Sequence, residues 1–183
     1  VNWLAHLRLA PAAPLVRLGN LAGDFVRGVD LATLHEDVRR GVHQHRAVDR
    51  FVDGHPIYLR ARARVGAPWR RFSGVALDVF FDHFLARDWA ELGDGRPLDV
   101  FVGEVHEQLV RHRAVLPPAL RRAGPHIAAR GWLGMYGTLE GVDEVLDAMA
   151  KRSPRRRPLA DVGAELRRCY DALAADFAAF WPA

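Results

Sequence analysis

The stretch Gly74 to Leu92, GVALDVFFDHFLARDWAEL, constrains the fold most. Read as a helix it is apolar around most of its circumference, through Val75, Leu77, Val79, Phe80, Phe81, Phe84, Leu85 and Trp89. Such a helix is stable only when surrounded, so the rest of the chain must pack around it. Helical spacing of apolar residues recurs in Leu15–Gly28, Gly41–Asp53, Tyr58–Arg71, Leu98–Arg113, Ala119–Arg130, Gly137–Met149 and Leu159–Phe180. Breaks are expected near Gly66 and Pro68, and His55-Pro56 closes the Gly41–Asp53 segment because a residue before proline disfavours the helical region. Gly28 reads as a helix stop, and Thr33 with Glu36 as a helix cap. With 183 residues the chain suits one domain, 1–183, large enough to bury a core without disulfide or metal staples.

Polar residues interrupt this pattern in an ordered way. Asp78 and Asp82 lie one turn apart inside the most apolar segment, with His83 about 100° around from Asp82. A carboxylate buried there costs several kcal/mol unless a cation, a hydrogen-bond network or water meets it. In GVHQHRAVDRFVD (Gly41–Asp53), His45, Asp49 and Asp53 fall on one stripe at four-residue steps beside an apolar face. A lone His-x-x-x-Asp reads as an ion pair on a solvated face. A third pair, Asn20 and Asp24, also stands one turn apart, between Gly19 and Gly23. Each glycine weakens a helix by roughly 1 kcal/mol, which implies close approach of a neighbouring helix or a ligand. Three segments with imidazole, amide and carboxylate groups at helical steps point to one divalent cation. The mixed donors suit Mn²⁺, Fe²⁺ or Mg²⁺ better than a thiolate-rich zinc site. A cation of that kind suits hydrolysis of a phosphoester. His6, in the apolar opening VNWLAHLRLA, reads as a hydrogen-bonded core histidine or a further ligand.

Charge and cysteine content narrow the setting. Of 26 basic residues only Lys151 is lysine, and the net charge of +4 allows an acidic partner. The single cysteine, Cys169, excludes an internal disulfide and fits a reducing compartment. No signal pattern and no apolar run of membrane-spanning length appears, so a cytoplasmic protein without membrane attachment is expected.

NWLAHLRLA, LGNLAGDFVRG, GVHQHRAVDRFVD, ALDVFFDHFLARDW and YDALAADFAAFWP together resemble the acyl carrier protein phosphodiesterase family, in matching order over nearly the whole chain. The resemblance implies an all-α, single-domain helical bundle, HD-phosphohydrolase-like, that depends on a divalent metal such as Mn²⁺. It implies removal of the 4′-phosphopantetheine arm from holo acyl carrier protein to leave the apo form, a reaction of lipid metabolism and fatty acid biosynthesis. Matching positions implicate Asp24, His45, Asp49, Asp78 and Asp82 as metal ligands, and His45, Asp49 and His83 in catalysis. His6, Asn20 and His43 stand behind them. The chain lacks the His-Asp dipeptide of standard HD proteins, the reversed Asp82-His83 being nearest. Val1 falls where the family has its initiating Met, which suggests a GTG start codon written as valine.

A strongly acidic carrier would be guided by a basic rim, and Lys151, Arg152, Arg155, Arg156 and Arg157 are the candidates, followed by Arg60, Arg62 and Arg64. In the implied reaction, hydroxide attacks phosphorus and the serine oxygen leaves with a proton from His45 or His83. The alternatives are an HD-like phosphohydrolase acting on a nucleotide or other small phosphoester, and a nucleic-acid-binding module. The module has no use for Asp78 and Asp82 in an apolar helix and lacks aromatics interleaved with the basic run.

Overall fold

In the computed structural model, which describes residues 2–67 and 69–181, every regular element is helical, giving the all-α architecture that the sequence predicts. The helices gather into two compact units. One comprises Trp3–Arg50 and Trp89–Gly134; the other comprises Val1–Asn2, Phe51–Asp88 and Met135–Ala183. No helix among the described residues is long and apolar enough to cross a membrane.

The first unit holds α1 (Trp3–Leu9), α2 (Pro14–Ala22), most of α3 (Glu36–Gly54), and α6 (Trp89–Leu92), α7 (Leu98–Arg111) and α8 (Pro118–Ala129). Pro14 opens α2 in its first turn, where its missing N–H costs nothing. Helices α2 and α3 touch backbone to backbone. A methyl on Gly19 would overlap the Val38 carbonyl, and one on Gly41 would overlap the Val16 carbonyl. The neighbour implied by Gly19 is therefore α3. Helix α2 stops at Ala22, six residues before the predicted stop, and tightens into a 3-10 turn, Gly23–Phe25. Gly28, at φ 75°, instead serves the following turn. Thr33 caps no helix. Its hydroxyl donates to Asp30 O at 2.7 Å, Asp30 caps the 3-10 turn Leu31–Thr33, and α3 begins after His35, whose Nδ1 accepts the Asp37 N–H at 3.2 Å.

The second unit holds α4 (Pro56–Ala63), α5 (Ser73–Arg87), α9 (Leu139–Ala150), α10 (Gly163–Arg168) and α11 (Tyr170–Phe180). Phe80, Phe81 and Phe84 of α5 are fully buried. Phe81 meets Phe177 edge to face at 5.3 Å and Tyr58 at 5.9 Å. Each such ring contributes roughly 1.5–3 kcal/mol of burial energy. The segment expected to run helical to Leu92 leaves helical dihedrals at Asp88, which takes the Arg87 guanidinium through both oxygens at 2.6 Å. The predicted helix Leu159–Phe180 is a 3-10 run, Pro154–Asp161, followed by α10 and α11, which part at Cys169 (φ −111°, ψ 15°). The expected break at Pro68 and the Val1 start lie outside the described residues.

Arg60 and Arg64, read from the sequence as cations for a partner, are committed within this unit. Arg60 bonds Asp176 Oδ1 at 2.6 and 3.0 Å, and Arg64 bonds Oδ2 at 2.6 Å. The Asp176 side chain is 2% exposed.

Candidate functional site

Four-residue spacing on α3 puts His45 and Asp49 on one stripe, and their side chains meet: His45 Nε2 lies 3.0 Å from Asp49 Oδ2. From α1, His6 Nε2 lies 3.1 Å from the other oxygen, Oδ1. The carboxylate thus bridges two imidazoles, which stack at 3.9 Å between centroids and 21° between planes. Both histidines are buried and Asp49 is half-buried. One donor atom from each residue lies within 4.8 Å of the others, which is metal-site spacing.

Asn20 determines how His6 presents itself. Its Oδ1 stands 3.1 Å from His6 Nδ1; with Nδ1–H donating to the amide oxygen, Nε2 faces Asp49 as a second N–H donor when the ring is protonated and as a lone pair when it is neutral. In the neutral ring that lone pair and the carboxylate oxygen together fit a divalent cation between them. Asp24 borders it: Oδ1 lies 3.8 Å from His45 Nε2, while Oδ2 accepts the Trp3 indole N–H at 2.8 Å.

The electrostatics follow from burial and Asp49. Burial drives the His6 pKa down, only partly offset by the hydrogen bond to Asp49. Burial opposes charge on His45 too, but the Asp49 hydrogen bond and the charges of Asp49 and Asp24 outweigh it and raise its pKa. Burial pushes Asp49 up, yet hydrogen bonds from His45 and His6 hold its carboxyl well below the usual range.

Gly23 explains why the His45 ring can lie where it does. Its backbone is ordinary right-handed helix (φ −49°, ψ −40°), but a Cβ there would fall on the His45 ring. Close approach was legible around Gly23; that a histidine makes it was not. No local signal in the sequence pairs Trp3 with Asp24, 21 positions away.

The remaining predicted residues are placed as follows. His43 is exposed on α3, two positions from His45 and so on a different face. In the second unit Asp78 accepts the Tyr58 hydroxyl at 2.5 Å. Burial, then the charge of Asp78, pushes the Tyr58 phenol pKa up. Asp82, fully buried, accepts the Asn2 backbone N–H at 3.3 Å. His83 Nδ1–H donates to Tyr136 O at 2.8 Å, and Nε2 accepts the Tyr170 hydroxyl at 2.9 Å. Burial lowers the His83 pKa against the pull of the Tyr136 carbonyl. Asn2 Nδ2 donates to Tyr136 Oη at 2.8 Å. Lys151, Arg152, Arg155, Arg156 and Arg157 are all exposed. They flank or occupy the 3-10 run, which the buried Leu159 anchors beside a cavity of about 350 Å³ lined by Asp147, Lys151, Ser153 and Arg157 among others.

The family model described as acyl carrier protein phosphodiesterase matches residues 1–183. The acyl carrier protein phosphodiesterase of Salmonella agona (strain SL483) is 36% identical over 182 residues, covering 100% of this chain and 94% of that protein. Those of Escherichia coli (strain HS) and Salmonella newport (strain SL254) are 37% and 36% identical with the same coverage. No solved structure matches the chain. The similarity extends over the whole chain, which belongs to the acyl carrier protein phosphodiesterase family.

Proposed function

We propose that this protein hydrolyses the phosphodiester joining 4′-phosphopantetheine to holo acyl carrier protein, releasing the apo carrier, in the cytoplasm and within fatty acid metabolism. The observation that carries the metal part of this reading is the Asp49 carboxylate held between two imidazole nitrogens at 3.0 and 3.1 Å. In the proposal His6, His45 and Asp49 hold a divalent cation, Mn²⁺ before Mg²⁺ or Fe²⁺, with Asp24 at its edge. Such a cation supplies Lewis acidity toward a phosphoryl oxygen and lowers the pKa of a water.

The chain's own groups supply position and proton control. Asn20 keeps the His6 Nδ1 proton, so Nε2 stays available as a donor atom. Trp3 fixes one Asp24 oxygen and leaves the other turned toward His45. Asp24 is half exposed, so it can accept a proton from an attacking water that enters from solvent. His83, with both nitrogens engaged, serves this reading as scaffold and not as the proton donor to the leaving serine oxygen. The exposed cations at Lys151, Arg152, Arg155, Arg156 and Arg157 are assigned to the acidic carrier, and the HD-like kinship carried by the resemblance belongs to the same proposal.

Incubating the protein with holo acyl carrier protein and Mn²⁺, and following the mass of the carrier, tests the reading. Wild type should remove the phosphopantetheine mass and Asp49→Asn should not, while still folding. An unchanged carrier mass with metal-loaded wild type would refute the substrate assignment and direct the search to small phosphoesters such as nucleotides.

A further inference from the structure

We infer that the solvent face of α3 is a docking strip for the acidic surface of the protein substrate. The inference rests on the proposed function and names where the carrier seats. At 100° per residue, positions 39, 43, 46 and 50 fall within a sector of about 60°. They are Arg39, His43, Arg46 and Arg50, the first half-buried and the other three exposed. At 1.5 Å per residue the strip is about 16 Å long, close to three turns of a facing helix.

Among the described residues, none of the three arginines makes an ion pair. Elsewhere in the same unit arginines find carboxylates readily: Arg17 meets Glu104, Arg40 meets Asp37, and Arg96 meets Asp94 and Glu104. Even on α3, Arg40 has taken Asp37, and the strip beginning one position earlier is left to solvent. The backbone that carries these charges is fixed in advance. The same helix buries Val38, Gly41 and Val42 and makes the backbone contact with α2, so only the side chains need ordering on binding.

The adjoining sector of the same helix carries the candidate metal ligands. Asp49 lies about 60° around from Arg46 and about 100° from Arg50. A substrate whose phosphodiester reaches Asp49 must lay the surface that bears it beside this strip. Guanidinium groups suit bidentate contact with Asp and Glu side chains. No Phe, Tyr or Trp side chain occurs in the strip for a nucleic-acid base to stack on. The fitting partner is therefore an acidic helical surface.

The test compares wild type with Arg46→Glu/Arg50→Glu and with Arg46→Lys/Arg50→Lys. Three readouts are used: affinity for apo acyl carrier protein, kcat and KM for the holo form with Mn²⁺ at increasing NaCl, and turnover of bis(4-nitrophenyl) phosphate. The Glu pair should weaken carrier binding and raise KM roughly tenfold or more at low salt, flatten the salt dependence, and spare kcat and the small diester. The Lys pair should retain most of the affinity. Unchanged carrier affinity in the Glu pair overturns the inference, as does an equal loss on the small diester, which would assign the arginines to the phosphate. Failure of the proposed function has a different signature, wild type leaving the holo carrier intact, and carrier affinity still decides the docking strip in that event.

Discussion

Gly23→Ala places a methyl group where the His45 ring lies. The backbone at Gly23 is right-handed, so alanine is conformationally acceptable and even gains roughly 1 kcal/mol of helix propensity. The clash is with Cγ and Cδ2 of His45, well inside ordinary van der Waals contact. Relief requires the ring to retreat by about 1 Å, whereas metal-ligand distances tolerate about 0.2 Å. Overpacking of about 1–3 kcal/mol is partly cancelled by the propensity gain, leaving about 0–2 kcal/mol of destabilisation. Metal binding should suffer more: the supporting structure of a ligand is worth about 10–100-fold in affinity. Mn²⁺ titration followed by the EPR signal of the free ion reads this directly, alongside thermal unfolding without metal. Gly103→Ala is the control, since a methyl there meets nothing within 4 Å. If Gly23→Ala binds Mn²⁺ as wild type does, His45 is not a ligand held against this glycine and the centre described here is wrong.

Three further outcomes test other parts of the structure. Asp176→Asn removes the charge that Arg60 and Arg64 clamp; because both guanidiniums are partly exposed, the loss should be about 2 kcal/mol rather than the 3–5 of a fully buried pair, or about 4–8 °C in Tm. Burial pushes the Asp176 pKa up, but the two arginines pull it below the ordinary 3.8, so the charge stabilises the fold above 3.8 and that contribution fades as pH falls through the lowered value. The wild-type advantage in urea unfolding should shrink only in that acid range. His83→Gln tests the scaffold role: burial lowers the His83 pKa, so the unfolded chain takes up a proton that the folded one resists, and stability falls as pH drops below about 6.5. The variant should show a flatter stability profile between pH 7 and 5 and keep most of its Mn²⁺ affinity, and loss of that affinity would contradict the scaffold role. Arg155→Glu/Arg156→Glu/Arg157→Glu, at exposed positions, should change stability by less than about 0.5 kcal/mol yet raise KM for holo carrier several-fold at low salt; a KM unmoved by the reversal removes this segment from substrate binding.

What the chain discloses by spacing alone stops at the edge of a single helix. His45 and Asp49 were legible because four residues return the α-helix to the same face, and the meeting at 3.0 Å follows from that periodicity. His6 was not legible in the same way: its distance of 43 residues from Asp49 carries no period, and its apolar surroundings left it as either a hydrogen-bonded core histidine or a further ligand. Asp78, Asp82 and His83 were legible as polar groups that burial would penalise. Among the groups that meet them are a phenol, a backbone amide, a carbonyl and a second phenol, from Tyr58, Asn2, Tyr136 and Tyr170. Desolvation demands a partner without specifying its chemistry, so a hydrogen-bond donor and a cation leave the same mark in a sequence. Arg60 and Arg64 err in the opposite sense. They look free because no carboxylate is near in sequence, yet Asp176 lies more than a hundred residues further on. Glycine is the exception, because its missing side chain records an approach from elsewhere in the fold. Gly19 and Gly23 announced close neighbours, and the backbone of α3 and the ring of His45 are those neighbours. The same helix therefore fixes the crossing and carries the ligand, so a shift at the Gly19–Gly41 contact would move His45 and Asp49 together and leave their mutual geometry intact while displacing both from His6.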